Sequence, residues 1–336
     1  MASKKVLIMG PGFIGWNILD LLVQEGYAVT GFVRRKEHGE QIKASGASEV
    51  IYGDLSDKSL ITKLTTAHDI VLHTAGADEF PSVEAILDGI QERADGGLST
   101  IFIHTSGTAM TADGARGAFK SDKVYHDGVP AEIDSLSDDA PHRPVDTHIV
   151  KAQKRLGAKA KIAIMIPPTI YGVNPKHGRL SAQIPTLARY ALKHGFSGYV
   201  GEGLSVHSNV HVIDLARAYV LLMHHMESTA PDDPQLLDNA YYFCEATGDN
   251  EPSWKEIAIV IGNSLFKAGA ISDPTPRVMP KDSYNDVYGS WTDASVGMNS
   301  RTRAVRLRKL GWAPIEKSWA ASFAEDELPY FLKEGK

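Results

Sequence analysis

Short apolar runs alternate with amphipathic stretches along the first half of the chain. The apolar runs predict strands, and the stretches with apolar residues every three to four positions predict helices. The predicted strands are 6–9, 28–33, 49–52, 70–73, 101–104 and 162–166, and the predicted helices are 13–25, 37–45, 57–67, 81–94 and 145–156. Strict alternation of this kind is typical of βαβ units, so the fold class is α/β with a doubly wound parallel Rossmann sheet.

The pattern changes after residue 171. Helices are predicted at 183–194 and 213–226 and a short strand at 199–200, while 107–144 is predicted to be a long irregular insertion. We expect an NAD(P)-binding domain over 1–171 and, over 172–336, a smaller interleaved substrate-binding subdomain. Its segment at about 205–228 should return to the Rossmann core. A cap above the carboxyl ends of the strands would form the substrate cleft.

A glycine-rich turn follows the first predicted strand. Gly10 permits the tight turn, Gly12 lets the backbone approach a pyrophosphate, and Gly15 allows the following helix to pack closely on the strand. The free N–H groups at the start of that helix attract an anion. The turn therefore predicts a dinucleotide-phosphate site, although a structural turn without a ligand would have the same sequence.

The end of the second predicted strand indicates which dinucleotide binds. NAD sites usually carry an acidic residue there, whereas NADP sites place an arginine near the 2′-phosphate. Here Val33 is followed by Arg34, Arg35 and Lys36. The expected cofactor is NADP(H), and the alternative is a solvated basic turn.

Length, net charge and cysteine content disfavour several classes of protein. With 336 residues, 43% of them hydrophobic, the chain can bury a large core, and its net charge of −6 argues against nucleic acid as a partner. The basic residues concentrate only in 301–309, which is predicted to be a helix with a charged face. A single cysteine, Cys244, fits a reducing compartment and is interpreted as a buried residue of a strand at 241–243. Without a leader or a long apolar segment, a cytoplasmic protein with no membrane association is expected.

Seven segments in order along the chain resemble the extended short-chain dehydrogenase/reductase superfamily, which includes nucleotide-sugar epimerases and dihydroflavonol reductases. The segments are Gly12-Phe13-Ile14-Gly15, Gly53-Asp54-Leu55, His73-Thr74-Ala75-Gly76, His104-Thr105-Ser106-Gly107-Thr108, Pro167-Pro168-Thr169-Ile170-Tyr171-Gly172, Val210-His211-Val212-Ile213-Asp214-Leu215-Ala216 and Leu310-Gly311-Trp312-Ala313-Pro314. The resemblance implies a homodimer at the family level.

The resemblance also implies which residues hold the cofactor. Asp54 and Leu55 would lie by the adenine, 74–76 along the phosphates and ribose, and 167–170 near the nicotinamide. Asp54 could instead cap the next helix, and Asp214 is expected to cap the helix that follows it. The full predicted cofactor set is Gly10, Gly12, Phe13, Ile14, Gly15, Arg34, Arg35, Asp54, Leu55, Thr74, Ala75, Gly76, Thr105, Pro167, Thr169 and Ile170.

The chain departs from the family in its catalytic residues. Family enzymes use a Tyr-x-x-x-Lys pair, which occurs nowhere in this sequence. One alignment puts Arg143 in the lysine position, and another puts Lys151 there with Thr147 in place of the tyrosine. Gly107 falls where the family has a serine or threonine.

A carbonyl reduction still needs a proton donor within hydrogen-bond reach. Tyr125 in the insertion is the first candidate, although a tyrosine there could equally anchor the loop. His142 lies near the vacated pair and is the second. Ser106 and Thr108 could hydrogen-bond a substrate carbonyl, and Lys151 completes the predicted catalytic set. No metal-ligand spacing is present.

Three hypotheses follow from these residues. The first is an NADPH-dependent oxidoreductase that reduces a small organic carbonyl, imine or activated alkene. The second is an NADP(H)-binding regulator or redox sensor, similar to NmrA-type proteins, which keep the dinucleotide site without the catalytic pair. The third is an enzyme that keeps the cofactor for non-redox isomerisation or cyclisation, or a sugar-nucleotide epimerase. A small-molecule substrate is expected under the first and third.

Overall fold

The computed structural model describes residues 4–334, and its centre is a seven-stranded parallel sheet. The strand order is β3-β2-β1-β4-β5-β7-β11, so the order reverses between β1 and β4. The sheet strands are β1 (Lys5–Met9), β2 (Ala28–Val33), β3 (Glu49–Tyr52), β4 (Ile70–His73), β5 (Thr100–Thr105), β7 (Ala160–Ile166) and β11 (Tyr241–Phe243). Three further parallel pairs are formed by β6 (Tyr125–His126) with β13 (Thr302–Arg303), β8 (Thr169–Tyr171) with β10 (Asn209–His211), and β9 (Gly198–Tyr199) with β12 (Arg277–Val278).

Helices cover both faces of the sheet, as the alternating pattern predicts. The helices are α1 (Gly15–Gln24), α2 (Lys36–Ala44), α3 (Lys58–Thr66), α4 (Phe80–Asp95), α5 (Pro130–Asp134), α6 (Arg143–Leu156), α7 (Gln183–His194), α8 (Val212–Ser228), α9 (Pro234–Leu237), α10 (Trp254–Lys267), α11 (Thr292–Val296), α12 (Val305–Lys309), α13 (Trp319–Ser322) and α14 (Leu328–Glu334). On one side α1 packs against α8, and on the other α4 packs against α3 and α6. The doubly wound α/β fold expected from the sequence is confirmed.

Two hydrophobic cores organise the chain. The first lies on both faces of the sheet and is formed by apolar residues from 6–166, together with residues of α8, β11 and α12. The second is centred on Tyr190, Trp254 and Phe323 and joins α7, α10 and the C-terminal helices. The chain after residue 171 therefore passes between the two cores several times. Within residues 4–334, no helix is both long enough and apolar enough to cross a bilayer.

The basic stretch at 301–309 does not form one helix as predicted. Its first part is β13, and only Val305–Lys309 is helical. The buried carboxylate of Glu251 pairs with Arg301 and Arg303, and the pairing of β13 with β6 holds this part against the insertion. Asp127 accepts hydrogen bonds from the backbone N–H groups of Val305 and Arg306, which starts the helix later.

Asp214 also differs from its predicted role as a helix cap. The cap of α8 is His211, whose ring nitrogen accepts from the Ile213 N–H. Asp214 is buried instead and accepts from the backbone N–H groups of Ile315 and Glu316. It therefore fixes the C-terminal segment to α8.

Candidate functional site

The glycine turn between β1 and α1 has the geometry that an anion site requires. Gly10 has φ +77°, which favours glycine, and a Cβ at this position would lie 2.5 Å from the Cα of Ala75. A Cβ at Gly15 would lie 2.3 Å from the hydroxyl of Thr74, so this glycine allows close packing of helix and sheet. A Cβ at Gly12 would meet no described atom closer than 3.8 Å, so the backbone there faces open space.

That space is a cavity of about 570 Å³ at the carboxyl ends of β1, β2 and β4. It lies where the strand order reverses, which is where open α/β sheets bind dinucleotides. Nine residues of the predicted cofactor set line it: Gly10, Gly12, Phe13, Arg34, Arg35, Asp54, Leu55, Thr74 and Ala75. The size of the cavity, the open backbone at Gly12 and the side chains of Arg34 and Arg35 together fit a nicotinamide dinucleotide.

Asp54 lies in this cavity and does not cap α3. Its carboxylate accepts from the N–H and hydroxyl of Ser56, and these bonds lower its pKa. The cap of α3 is Asp57, which accepts from the Leu60 N–H. Asp54 is therefore fixed in its ionised form at the cavity wall.

A second cavity of about 1020 Å³ lies under the cap, at the ends of β5 and β7. The strand ends contribute Gly107, Thr108 and Pro167, and the cap contributes Tyr288 and Trp291. The charged side chains among the described lining residues are the carboxylates Asp78, Asp113 and Asp139; none is a lysine or an arginine. The cavity is thus largely apolar, with acidic groups at its wall.

His142 lines the second cavity and lies beside Gly107, just after the end of β5. Its Nδ1 lies 2.9 Å from a carboxylate oxygen of Asp78, and a Cβ at Gly107 would lie 3.0 Å from its Nε2. The Asp78 bond orients the ring so that Nε2 lies beside Gly107, which also lines the second cavity. Because position 107 is a glycine, the imidazole can approach the strand end.

The backbone of His142 is strained in a way that serves this placement. With φ +70° and ψ −21° it adopts the left-handed region, which costs non-glycine residues about 1–3 kcal/mol. The next residue, Arg143, is buried and donates to the hydroxyl of Tyr241. Asp146, one turn into α6, is buried as well. These buried neighbours hold the strained residue at the helix start.

Thr108 and Ser106 have different environments beside His142. Thr108 lines the second cavity, and its buried hydroxyl has no hydrogen-bond partner among the described residues. Ser106 lies behind the cavity wall and donates to Asp146 at 2.7 Å. Burial raises the pKa of Asp146 to about 7, against the opposing effects of the Ser106 hydrogen bond and the Arg143 charge.

The structure does not bring Tyr125 or Lys151 to either cavity. Tyr125 lies in β6, paired with Thr302, and its ring is covered by the Lys123 ammonium at 4.8 Å. Lys151 is exposed on α6, two turns beyond the His142 end. Both predictions came from positions along the chain, which did not reveal that the insertion folds against β13.

Several residues of the predicted cofactor set also point elsewhere. Thr105 donates to the carbonyl of His73 and contacts the hydroxyl of Tyr219, and Thr169 bonds His207. Side chains alternate between the faces of a strand, so these two face the core. Of the remaining members, Gly15 is packed under the turn, and Ile14, Gly76 and Ile170 line neither cavity. Pro167 differs from these, because it lines the second cavity.

Several residues that line the cavities are absent from the predicted cofactor and catalytic sets. His38 lines the first cavity with its Nε2 unpartnered among the described residues, and Arg179 reaches the same cavity from the cap side. Asp78, Tyr288 and Trp291 line the second. The cap residues lie more than 100 positions from the strand ends they face, so no local motif marks them. Among the described residues, no group of three or more His, Cys, Asp or Glu could hold a metal ion.

Comparison with known proteins agrees with the dinucleotide site. Residues 10–126 match the NAD(P)H-binding family, and residues 119–234 match the NAD dependent epimerase/dehydratase family. Among solved structures, the dTDP-glucose 4,6-dehydratase of Bacillus anthracis, determined in complex with NAD, aligns with a TM-score of 0.68 at 15% identity. The alignment covers 98% of this chain and 97% of that one.

Two curated relatives extend over most of the chain. Uncharacterized protein YLL056C of Saccharomyces cerevisiae is 27% identical over 319 residues, which is 92% of this chain and 94% of the relative. A protein of an Acremonium species named oxidase ucsJ is 29% identical over 292 residues, which is 80% of this chain and 81% of the relative. The chain therefore spans at least four fifths of the length of both relatives.

Proposed function

We propose that this chain, an NAD(P)-binding protein of the extended epimerase/dehydratase type, is an NADPH-dependent oxidoreductase with His142 as its proton donor. The substrate is a small organic carbonyl, imine or activated alkene. The observation that carries the proposal is the His142 imidazole, oriented by Asp78 and facing a largely apolar cavity next to the dinucleotide site.

Three residues of the second cavity would each have a separate role in such a reduction. Bound NADPH supplies a hydride to the electrophilic carbon of the substrate. Thr108 donates its free hydroxyl to the oxygen or nitrogen that gains charge. The doubly protonated imidazolium of His142 then gives that atom its Nε2 proton and becomes a neutral imidazole, while Asp78 accepts the hydrogen bond of Nδ1–H throughout. Proton donation of this kind contributes about 10²–10⁴-fold in rate.

The choice of NADPH over NADH rests on the end of β2. Arg34 and Arg35 both line the first cavity and are exposed toward it, which suits a 2′-phosphate. The wall of the second cavity favours a neutral or cationic substrate. Three carboxylates, with no lysine or arginine among the described lining residues, would repel a nucleotide-sugar diphosphate, so an epimerase is disfavoured. The relative named an oxidase supports redox chemistry.

The test begins with titration of NADPH and NADH into the wild type, followed by loss of nicotinamide absorbance with a panel of aldehydes, ketones, imines and enones. His142→Gln should lower turnover at least 100-fold with NADPH affinity unchanged within about twofold. Gly107→Ala, which displaces the imidazole without altering it, should also lower turnover. His148→Gln, half-buried on the same helix, is the matched control and should be unaffected.

Two outcomes would overturn the assignment. Full activity of His142→Gln, or its loss in Tyr125→Phe instead, would remove His142 as the donor. Tight NADPH binding with no oxidation across the panel would favour the sensor or non-redox hypotheses. The homodimer stays a prediction, which light scattering would test.

A further inference from the structure

The loop between β8 and α7 is fastened to α1, the helix that begins at the glycine turn. The side chain of Asn174 donates to Asn17 at 2.7 Å. Lys176 and His177 both contact the carboxylate of Asp20, at 2.9 and 3.0 Å. The first part of the cap-side chain is therefore held beside the dinucleotide cavity.

An aromatic stack completes this attachment. The His177 ring lies parallel to the indole of Trp16, with centroids 4.0 Å apart. The guanidinium of Arg179 lies over the same indole at 5.1 Å. Stacking on an aromatic face fixes the plane of a guanidinium and leaves its N–H groups free to donate. The loop thus presents Arg179 in a defined orientation.

That orientation directs Arg179 into the first cavity. It lines the cavity together with Arg35 and His38, and a guanidinium nitrogen lies 4.0 Å from where a Cβ of Gly12 would be. Gly12 is the position at which the backbone is open to a ligand phosphate. Arg179 is therefore on the cavity side of the turn, not on its outer surface.

The charges around Arg179 are unbalanced. Burial, and then the neighbouring charge of Arg35, lower the pKa of its guanidinium; no carboxylate of the described chain contributes. Burial and the Arg179 charge likewise lower the pKa of His38, whose Nε2 has no partner among the described residues. Half-buried cations without a carboxylate are stabilised by a bound anion.

We infer that Arg179 binds a phosphate group of the dinucleotide, as a third arginine beside Arg34 and Arg35, and so links cofactor binding to the cap. The inference rests on the proposed function for the identity of the ligand. Under this inference, the affinity for the dinucleotide also depends on a residue that lies outside the glycine turn and the end of β2. The phosphate is either the 2′-phosphate or the diphosphate, since Arg179 is near both Arg35 and Gly12.

Calorimetric titration of wild type, Arg179→Gln and Arg179→Lys with NADPH, NADH, adenosine 2′,5′-bisphosphate and ADP tests this inference. Arg179→Gln should bind NADPH about 10- to 100-fold more weakly, the effect of losing charged hydrogen bonds. Arg179→Lys should recover part of the affinity, since it keeps the charge without the planar fork. If Arg179→Gln binds only NADPH and the bisphosphate more weakly than wild type does, Arg179 contacts the 2′-phosphate. If the variant also binds NADH and ADP more weakly, Arg179 contacts the diphosphate.

Arg277→Gln is the matched control, because its guanidinium also lies over an aromatic ring, that of Phe196, but lines neither cavity. Its NADPH affinity should stay within about twofold of wild type. NADPH binding by Arg179→Gln at the wild-type level, equal losses in both variants, or a wild type that binds neither dinucleotide would overturn the inference. A wild type that binds NADPH but oxidises none contradicts the proposed function alone.

Discussion

Replacement of Asp146 by asparagine should change how the stability of the protein depends on pH. The side chain is fully buried, accepts a hydrogen bond from Ser106 and has one oxygen without a partner among the described residues. Burial raises its pKa to about 7 from an ordinary value of 3.8. The folded protein therefore keeps this proton at pH values where the unfolded chain has released it.

The sign and size of the effect follow from this difference. Between about pH 4 and pH 7 the folded state holds one more proton, so the free energy of unfolding falls by roughly 1.4 kcal/mol per pH unit. The stabilisation is complete below pH 4 and lost above pH 7, which gives a ceiling of roughly 4 kcal/mol over three units. The amide of the Asp146→Asn variant cannot titrate, so that variant lacks this slope.

The assay is urea unfolding of wild type and Asp146→Asn at constant ionic strength from pH 5 to pH 9, followed by tryptophan fluorescence. The difference in unfolding free energy should shift in favour of the variant as pH rises. Fixed costs of the amide, such as an unpaired N–H, cancel in that shift. Asp88→Asn, which removes an exposed carboxylate on α4, should run parallel to wild type. Parallel profiles for Asp146→Asn and wild type would refute the reasoning.

Two further predictions concern backbone and anchoring. Gly12→Val should abolish NADPH binding in a titration and leave the thermal unfolding temperature unchanged, because the valine side chain enters the cavity. Gly15→Val should instead lower the free energy of unfolding by about 1–3 kcal/mol, because the valine side chain collides with Thr74. Equal melting temperatures for the two variants would contradict this contrast. Asp214→Ala should cost about 3–5 kcal/mol in denaturant unfolding, because it removes two hydrogen bonds from backbone N–H groups to a charged acceptor, each contributing about 1.5–3 kcal/mol. Arg217 keeps a second carboxylate partner, Glu316. A loss below about 1 kcal/mol would show that other contacts hold the C-terminal segment.

The sequence was most informative where local spacing alone determines structure. Strand β2 was predicted residue for residue, and the glycine turn was predicted together with its three positions. It was least informative where a side chain's direction matters. Thr105 follows the predicted strand 101–104 and Thr169 begins β8, a strand that the pattern did not predict. Both side chains face the core, and a one-residue shift along a strand reverses that outcome.

The candidate catalytic residues show a second limit. His142 was a secondary candidate because distance from Pro167 gave only its neighbourhood, whereas Tyr125 stood in an insertion whose path could not be predicted. In the structure, a left-handed backbone conformation brings His142 over Gly107, whereas the pairing of β6 with β13 holds Tyr125 away from both cavities. His142 is therefore the better placed of the two candidates. Arg179 depends on a loop whose attachment to α1 requires tertiary contacts.

The repeated passage of the chain between two cores also constrains how the protein is made. The core around the sheet is incomplete without α8, the edge strand β11, and Leu307 and Trp312 near the C-terminal end. A fragment ending at residue 171 would expose the apolar faces that these elements cover. During synthesis, the dinucleotide-binding half therefore completes its packing only after residue 312 has left the ribosome. We therefore expect that neither 1–171 nor 172–336 folds when it is expressed by itself.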